Sequence, residues 1–424
     1  MKKVKSTVKH SKKGYYLDQK FWNRFVKSYW EKKPLALTNV KSALTEINEN
    51  DIFNLVVQFS NKCRKNKNAS GFKLYIDGNL TYEEDVLQFL PHKKDKNFMG
   101  YHHRMSALFS DYCLVCDELL QVESYIRKII LDFTYELYQH IGFPNRFTEI
   151  GLYLGNYKKT PFGVHVDNCG VFSLPVTGVK KFRLWTDHFV QKHPELNRAF
   201  KYSRYNKQSQ VITIAPGDLS YWPSNAWHIA ESTGSFSATW SLGVWVDQRH
   251  EQLFNQTLNS LLKRKFSKRG ENTMTPFKNL NSLNGEVLEL PKIYLESIKV
   301  LQSLKHKELQ EFFLKDWLVH ISKHGFKNCP KYILNVNLNS TIKLRNQNAP
   351  VLWQKSLLDN STVFIGFSGT LIETNTKSEL LKLVVELNNG RNCKISQFFS
   401  SQSKQSKDYK NLQLLTQSGA FTLV

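Results

Sequence analysis

Long apolar runs, cysteines and acidic side chains are all scarce in this chain of 424 residues. The longest apolar runs, such as Leu380-Leu381-Lys382-Leu383-Val384-Val385, are short and broken by charge. They fall well below the roughly 18 residues of a membrane-spanning helix, so no membrane association is expected. Met1 to Lys13 is lysine-rich, with no apolar stretch behind it and no transit-peptide arginines, so a solvated tail on a cytoplasmic protein is expected. Six cysteines occur, and only Cys113 and Cys116 are closely spaced. One Cys-x-x-Cys without a second pair cannot supply four zinc ligands, and both residues are read as small hydrophobes buried in a helix. Free thiols suit a reducing compartment. Acidic side chains number 36 against 59 basic ones, a formal charge of +23. That balance concentrates anionic partners near the surface. Basic runs at Lys2 to Lys13, Lys62 to Lys67, Lys93 to Lys96 and Lys263 to Arg269 spread the charge along the chain. An acidic peptide, an RNA and a Lys/Asn-rich composition are alternative reasons for it.

What is present divides the chain by character. A hydrophobic content of 41% allows two or three domains with an ample core. After a basic tail over residues 1–14, residues 15–147 form a mainly helical region with some strand, in which Val122 to His140 has the apolar spacing of an amphipathic helix. Residues 148–247 hold short runs rich in Val, Phe, Trp and Thr, punctuated by Gly and Pro turns, as a double-sheet jelly roll requires. Residues 248–330 turn helical again at His250 to Lys265 and Leu295 to His320, joined by a polar linker from Lys268 to Glu286. Cys329-Pro330 marks the boundary before a last domain, 331–424. The fold class is mixed α+β.

The chemistry is concentrated in Gly163-Val164-His165-Val166-Asp167-Asn168 and in Pro216 to His228, which ends Ala226-Trp227-His228. Side chains alternate along an extended strand, so His165 and Asp167 project from one face and Val164 and Val166 from the other. Two imidazoles and one carboxylate on one side of a metal leave positions open for a chelating co-substrate and dioxygen, the arrangement of non-haem Fe(II) oxygenases. An anionic co-substrate needs a cation. In Lys180-Lys181-Phe182-Arg183-Leu184-Trp185 the apolar face carries Lys180 inward with Phe182 and Leu184, while Lys181, Arg183 and Trp185 should face outward. A buried, unpaired ammonium is costly until an anion meets it. Thr239 and Ser241, alternating on the strand after His228, add hydroxyls to the same ligand. Tyr221, Trp222, Trp227 and Trp240 are candidate walls of the site.

From Ile150 to Trp245 these residues resemble the JmjC branch of the cupins, most closely the ribosomal-oxygenase group of Fe(II)/2-oxoglutarate hydroxylases. The resemblance rests on Leu152-Tyr153-Leu154, His165 with Asp167, Val171-Phe172, Gly178 with Lys180, and the run ending in His228. It implies Fe(II) on His165, Asp167 and His228, 2-oxoglutarate anchored by Lys180, and O2 as oxidant. Phe21 to Leu35 is similar to the family's first helix and strand. Ser378 to Asn389, Ile395 to Ser400, Asp408 to Gly419 and Phe421 to Val424 are similar to its C-terminal winged helix, and residues 248–330 correspond to its dimer interface. One stretch departs: Asp187 to Gln210 is long and basic. The implied activity is hydroxylation of a side chain in a ribosomal protein or in a ribosomally made, acidic precursor peptide. The contrasting reading is a winged-helix protein binding nucleic acid or the ribosome on a non-catalytic cupin scaffold; a third is a metal-free, sugar-binding cupin.

Overall fold

The computed structural model describes residues 8–9, 14–122, 125–232, 235–247, 250–266, 292–330, 332 and 334–424. The linker from Lys268 to Glu286 and most of the N-terminal tail lie outside them. The chain forms two compact units, Met1–Asp247 with Lys323–Tyr332, and Gln248–Ser322 with Ile333–Val424. No helix among the described residues is long and apolar enough to cross a membrane.

Period-two alternation builds the first unit. In Ser237–Trp245, the side chains of Ala238, Trp240, Leu242 and Val244 join the core shared with the helices, while Thr239, Ser241 and Gly243 line a cavity on the opposite face. This strand lies between Cys169–Thr177 and Thr148–Gly155 in a nine-stranded sheet. Tyr112–Cys116, Phe72–Ile76 and Asn79–Leu80 extend the sheet on one side, and Leu219–Trp222, Leu35–Leu37 and Val8–Lys9 extend it on the other. A three-stranded sheet, Gln210–Ile214, Lys180–Trp185 and Trp227–Ser232, supplies the second wall. Val171, Phe182, Leu184, Ile212, Ile214 and Trp222 pack together from the two sheets. The expected jelly-roll core is thereby present in a mixed helix-and-sheet architecture.

Helices cover the outer face of the large sheet. Gln19–Ser28 starts at Asp18, whose carboxylate accepts from Phe21 N at 2.8 Å, and it buries Phe21, Trp22 and Phe25. Tyr125–Ile141 buries Ile126, Ile130, Phe133 and Leu137, one stripe at helical spacing. Trp22, Phe25 and Phe133 meet Phe172 of the sheet with ring centroids 5.5 to 6.5 Å apart. Each fully buried aromatic of this kind contributes about 1.5–3 kcal/mol.

Two expectations are corrected here. Cys113 and Cys116 are buried, but in the strand Tyr112–Cys116 and not in a helix. Five apolar residues flanked by Asp111 and Asp117 form a strand covered on both faces, which carries no helical period. Residues 15–147 are mainly helical, and the short strands among them join the large sheet. Trp185 does not face outward to solvent. The 187–210 stretch folds back over it, packing Val190, Leu196, Tyr202 and Tyr205 around it, and Trp185 Nε1 donates to Tyr205 O at 3.1 Å.

The second unit contains the helices His250–Phe266, Lys292–Gln302 and His306–Ile321. The helix anticipated over Leu295 to His320 is interrupted, because Lys305 is extended and its N–H is capped by Glu308 Oε2 at 3.3 Å. Two three-stranded sheets follow, with the helices Glu379–Asn388 and Lys407–Gln417 packed through Leu380, Leu383, Leu387, Leu412 and Leu415.

Candidate metal centre and its cavity

His165 and His228 face each other across an antiparallel bridge. His165 N donates to His228 O at 3.0 Å and His228 N to His165 O at 2.7 Å. Their imidazole centroids are 4.3 Å apart. Asp167 closes the triangle, with Oδ1 3.9 Å from His165 Nε2 and Oδ2 3.5 Å from His228 Nε2. The ligand atoms of the three lie within 4.8 Å of one another, and among the described residues they are the one group of His, Cys, Asp and Glu so placed.

Each imidazole is oriented from behind. His165 Nδ1 contacts Gly163 O, and His228 Nδ1 contacts Ala226 O, both at 3.0 Å. A carbonyl at Nδ1 requires N–H there, which leaves the Nε2 lone pair on the Asp167 side, free to bind a metal ion. Burial, then the neighbouring His165, pushes His228 down to about 4, so it is neutral and able to ligate at pH 7. The 187–210 stretch braces the same segments: Val164 N donates to Ala199 O at 3.0 Å, Arg198 N to Val164 O at 2.8 Å, and Trp227 Nε1 to Asp187 Oδ1 at 2.9 Å.

The trio lines a cavity of about 570 Å³ whose wall also carries Lys180, Thr239 and Ser241. Lys180 is 1% exposed, and its ammonium donates to the Tyr157 hydroxyl and lies 4.1 Å from the centroid of that ring. Burial pushes Lys180 down to about 7 and raises the Tyr157 phenol well above its usual range, so among the described residues the lysine faces a neutral group and no carboxylate. Thr239 Oγ1 is buried without a hydrogen-bond partner, whereas Ser241 Oγ donates to Ser173 Oγ at 3.1 Å. A buried cation beside an orphaned hydroxyl fits the carboxylate end of a small dianion. Two imidazoles and one carboxylate fit a divalent ion with open positions; a structural zinc would need a fourth protein ligand. The outward lysine and arginine are occupied elsewhere: Lys181 and Arg183 pair with Glu231 at 2.6 and 2.9 Å. Of the four aromatic candidates, Trp222 lines the cavity with its ring 5.1 Å from His228, while Tyr221 and Trp240 belong to the helix-side core.

Sequence reading missed two groups of residues. Tyr157 follows the strand Thr148–Gly155 in a loop with no repeating pattern, and only its aromatic type hinted at a wall. The mouth is built from distant stretches: Tyr75, Tyr153 and Phe162 pack edge to face, with Phe162 5.7 Å from His165. Asp117, Glu118 and Glu149 stand there with Lys73 and Lys327, three carboxylates to two lysines; Arg146, also at the mouth, pairs with Asp247 at 2.7 Å. Glu149 Oε1 is buried without a hydrogen-bond partner, 3.9 Å from Lys327 Nζ, and burial pushes its carboxyl up to about 7.

Residues 136–252 match the JmjC domain family. No curated protein matches the chain. Among solved structures, the ribosomal oxygenase YcfD of Escherichia coli in complex with cobalt and succinic acid is similar over 95% of this chain and 98% of that one, at 13% identity and a TM-score of 0.51. The same protein in complex with cobalt and 2-oxoglutarate matches with equal coverage and identity at a TM-score of 0.50. At that identity the likeness speaks for the fold alone. Residues 136–252 thus match the JmjC domain in sequence, and the chain as a whole is similar in fold to the ribosomal oxygenase YcfD.

Proposed function

We propose that the protein is an Fe(II)- and 2-oxoglutarate-dependent oxygenase that hydroxylates a side chain of a protein or peptide. His165, Asp167 and His228 hold the ion, and Lys180 with Thr239 receives the distal carboxylate of 2-oxoglutarate, Ser241 adding a hydroxyl to the wall. The observation that carries the reading is the presence in one cavity of a two-histidine, one-carboxylate triangle and a buried lysine with no anionic partner. The cobalt and 2-oxoglutarate held by YcfD are a parallel for that pairing. When bound, the ion and co-substrate activate dioxygen, one oxygen atom entering a substrate C–H bond and the other entering succinate as carbon dioxide leaves.

The chain's own residues do the rest. The carbonyls of Gly163 and Ala226 fix both imidazoles before an ion arrives. Lys180 takes up a proton as the dianion enters, because an anion restores the charged form that burial disfavours. Phe182 and Trp222 keep water from the inner wall. At the mouth, Tyr75, Tyr153 and Phe162 with Glu149 and Asp117 favour a basic target side chain, since aromatic faces and an under-neutralised carboxylate cluster both attract cations.

Beyond the jelly roll, we read residues 331–424 as a winged-helix-like domain and the helical region 248–330 as a dimerisation section. The exposed apolar residues Tyr294, Leu295, Ile298 and Leu301 on one helix support the latter. Sedimentation velocity at micromolar concentration should give a dimer.

The deciding experiment incubates the protein with Fe(II), 2-oxoglutarate and candidate peptides, following succinate and the gain of one oxygen by mass spectrometry. His165→Ala and Asp167→Ala should abolish both while retaining the fold by circular dichroism. Turnover that survives in these variants, or a wild-type protein that never converts 2-oxoglutarate, overturns the reading.

A further inference from the structure

Glu31 lies just past the helix Gln19–Ser28 at φ +50°, in the left-handed region that a β-carbon disfavours and glycine enters freely. The chain nevertheless keeps a glutamate there, and its carboxylate is met by three donors from one turn. Ser224 N–H reaches Oε2 at 3.2 Å, the Ser224 hydroxyl donates to the same oxygen, and the Tyr221 hydroxyl donates to Oε1 at 3.1 Å. The Glu31 N–H in turn donates to the Tyr221 oxygen at 2.9 Å. This turn leads directly into His228: Ala226 N donates to Pro223 O at 3.1 Å, and Ala226 O is the carbonyl that meets His228 Nδ1. On its other side Glu31 abuts Gly170, three residues beyond Asp167, where an added β-carbon would come within 2.7 Å of Oε1. One carboxylate thus touches both chain arms that carry candidate ligands.

We infer that Glu31 is a positioning residue of the metal centre, holding the 221–226 turn and, through the Ala226 carbonyl, the orientation of His228. The inference rests on the reading of His165, Asp167 and His228 as metal ligands. An acceptor-only group is what three converging donors require; an amide would set its own N–H groups against one of them. A purely structural plug at this position would need neither charge nor acceptors.

The test titrates the full-length protein with Co(II), followed by its visible absorption, beside the melting temperature of the metal-free protein. Glu31→Gly suits the left-handed backbone and removes the whole side chain with its carboxylate; Glu31→Gln and Ser224→Ala each remove part of the hydrogen bonding. Wild type should bind one Co(II) and Asp167→Ala should not. Glu31→Gly should bind Co(II) about 10- to 100-fold more weakly, as losses of groups that orient metal ligands do, with a shifted band and a nearly unchanged metal-free melting temperature. The two milder variants should fall between. A wild type that fails to bind Co(II) removes the ligand reading itself. A wild type that binds, alongside Glu31→Gly and Ser224→Ala variants with equal affinity and an identical band, overturns the positioning role. So does a lowered melting temperature with unaltered Co(II) affinity.

Discussion

Replacing Lys180 by methionine should make the protein more stable and nearly blind to 2-oxoglutarate. Burial pushes the ammonium from 10.5 down to about 7, and the Tyr157 phenol and ring are its partners in contact. At about 1.36 kcal/mol per pH unit, the charged form is disfavoured by on the order of 5 kcal/mol when no anion is near. The sign follows from proton counting. Between pH 7 and 10.5 the unfolded chain holds a proton that the folded one lacks, so the penalty grows as pH falls through this window, is complete below about 7, and vanishes above 10.5. Lys180→Met removes it while filling nearly the same volume. Urea denaturation should therefore find the variant more stable at pH 6.5 by roughly 2–4 kcal/mol, with a gap that narrows to under about 1 kcal/mol by pH 10. Calorimetric titration should show 2-oxoglutarate affinity falling about 10- to 150-fold, the loss of one charge-assisted hydrogen bond of about 1.5–3 kcal/mol. In the wild type at pH 8, binding should also take up protons from the buffer, and in the variant it should not. A variant less stable than wild type at pH 6.5, or one with unchanged affinity, refutes the argument that this lysine waits uncompensated for an anion.

Two further tests probe the mouth and the brace. Glu149, raised to about 7, carries its full charge only above that pH, so KM for a peptide with a basic target should fall between pH 6 and 8 in wild type and stay flat in Glu149→Gln. A sloped profile in the variant would place the titrating group elsewhere. Gly163 sits at φ +68° with Arg198 O only 2.5 Å from where a β-carbon would stand. Gly163→Ala should therefore cost about 2 kcal/mol or more in chemical denaturation and weaken Co(II) binding, since the Gly163 carbonyl orients His165; a neutral effect would mean that the brace yields.

The residues that were legible are those whose chemistry dictates their spacing. Lys180 shares the apolar face of Phe182 and Leu184 in the strand Lys180–Trp185, whereas His165 and Asp167 converge from a segment that is no strand and pairs only through the isolated bridge of His165 with His228. Tyr157, Glu149 and Asp117 were not legible, because they reach the cavity from a loop and from strands whose pairing only the folded sheet determines. Cys113 and Cys116 were assigned to a helix since a short, uniformly apolar run has no period to betray a strand. Trp185 was placed facing solvent because its cover comes from 187–210, a stretch whose basic composition hid the tyrosines and leucine that pack inward.

The reciprocal peptide bonding between His165 and His228 has a bearing on how the protein acquires its ion. Backbone pairing fixes the gap between the imidazoles, so a chelator should strip the centre without melting the sheets, unlike small zinc modules whose folding waits for the metal. Such a rigid cradle does little to discriminate among divalent ions of similar radius. The Irving–Williams series favours copper and nickel over iron at nitrogen donors, so the choice falls to cellular supply.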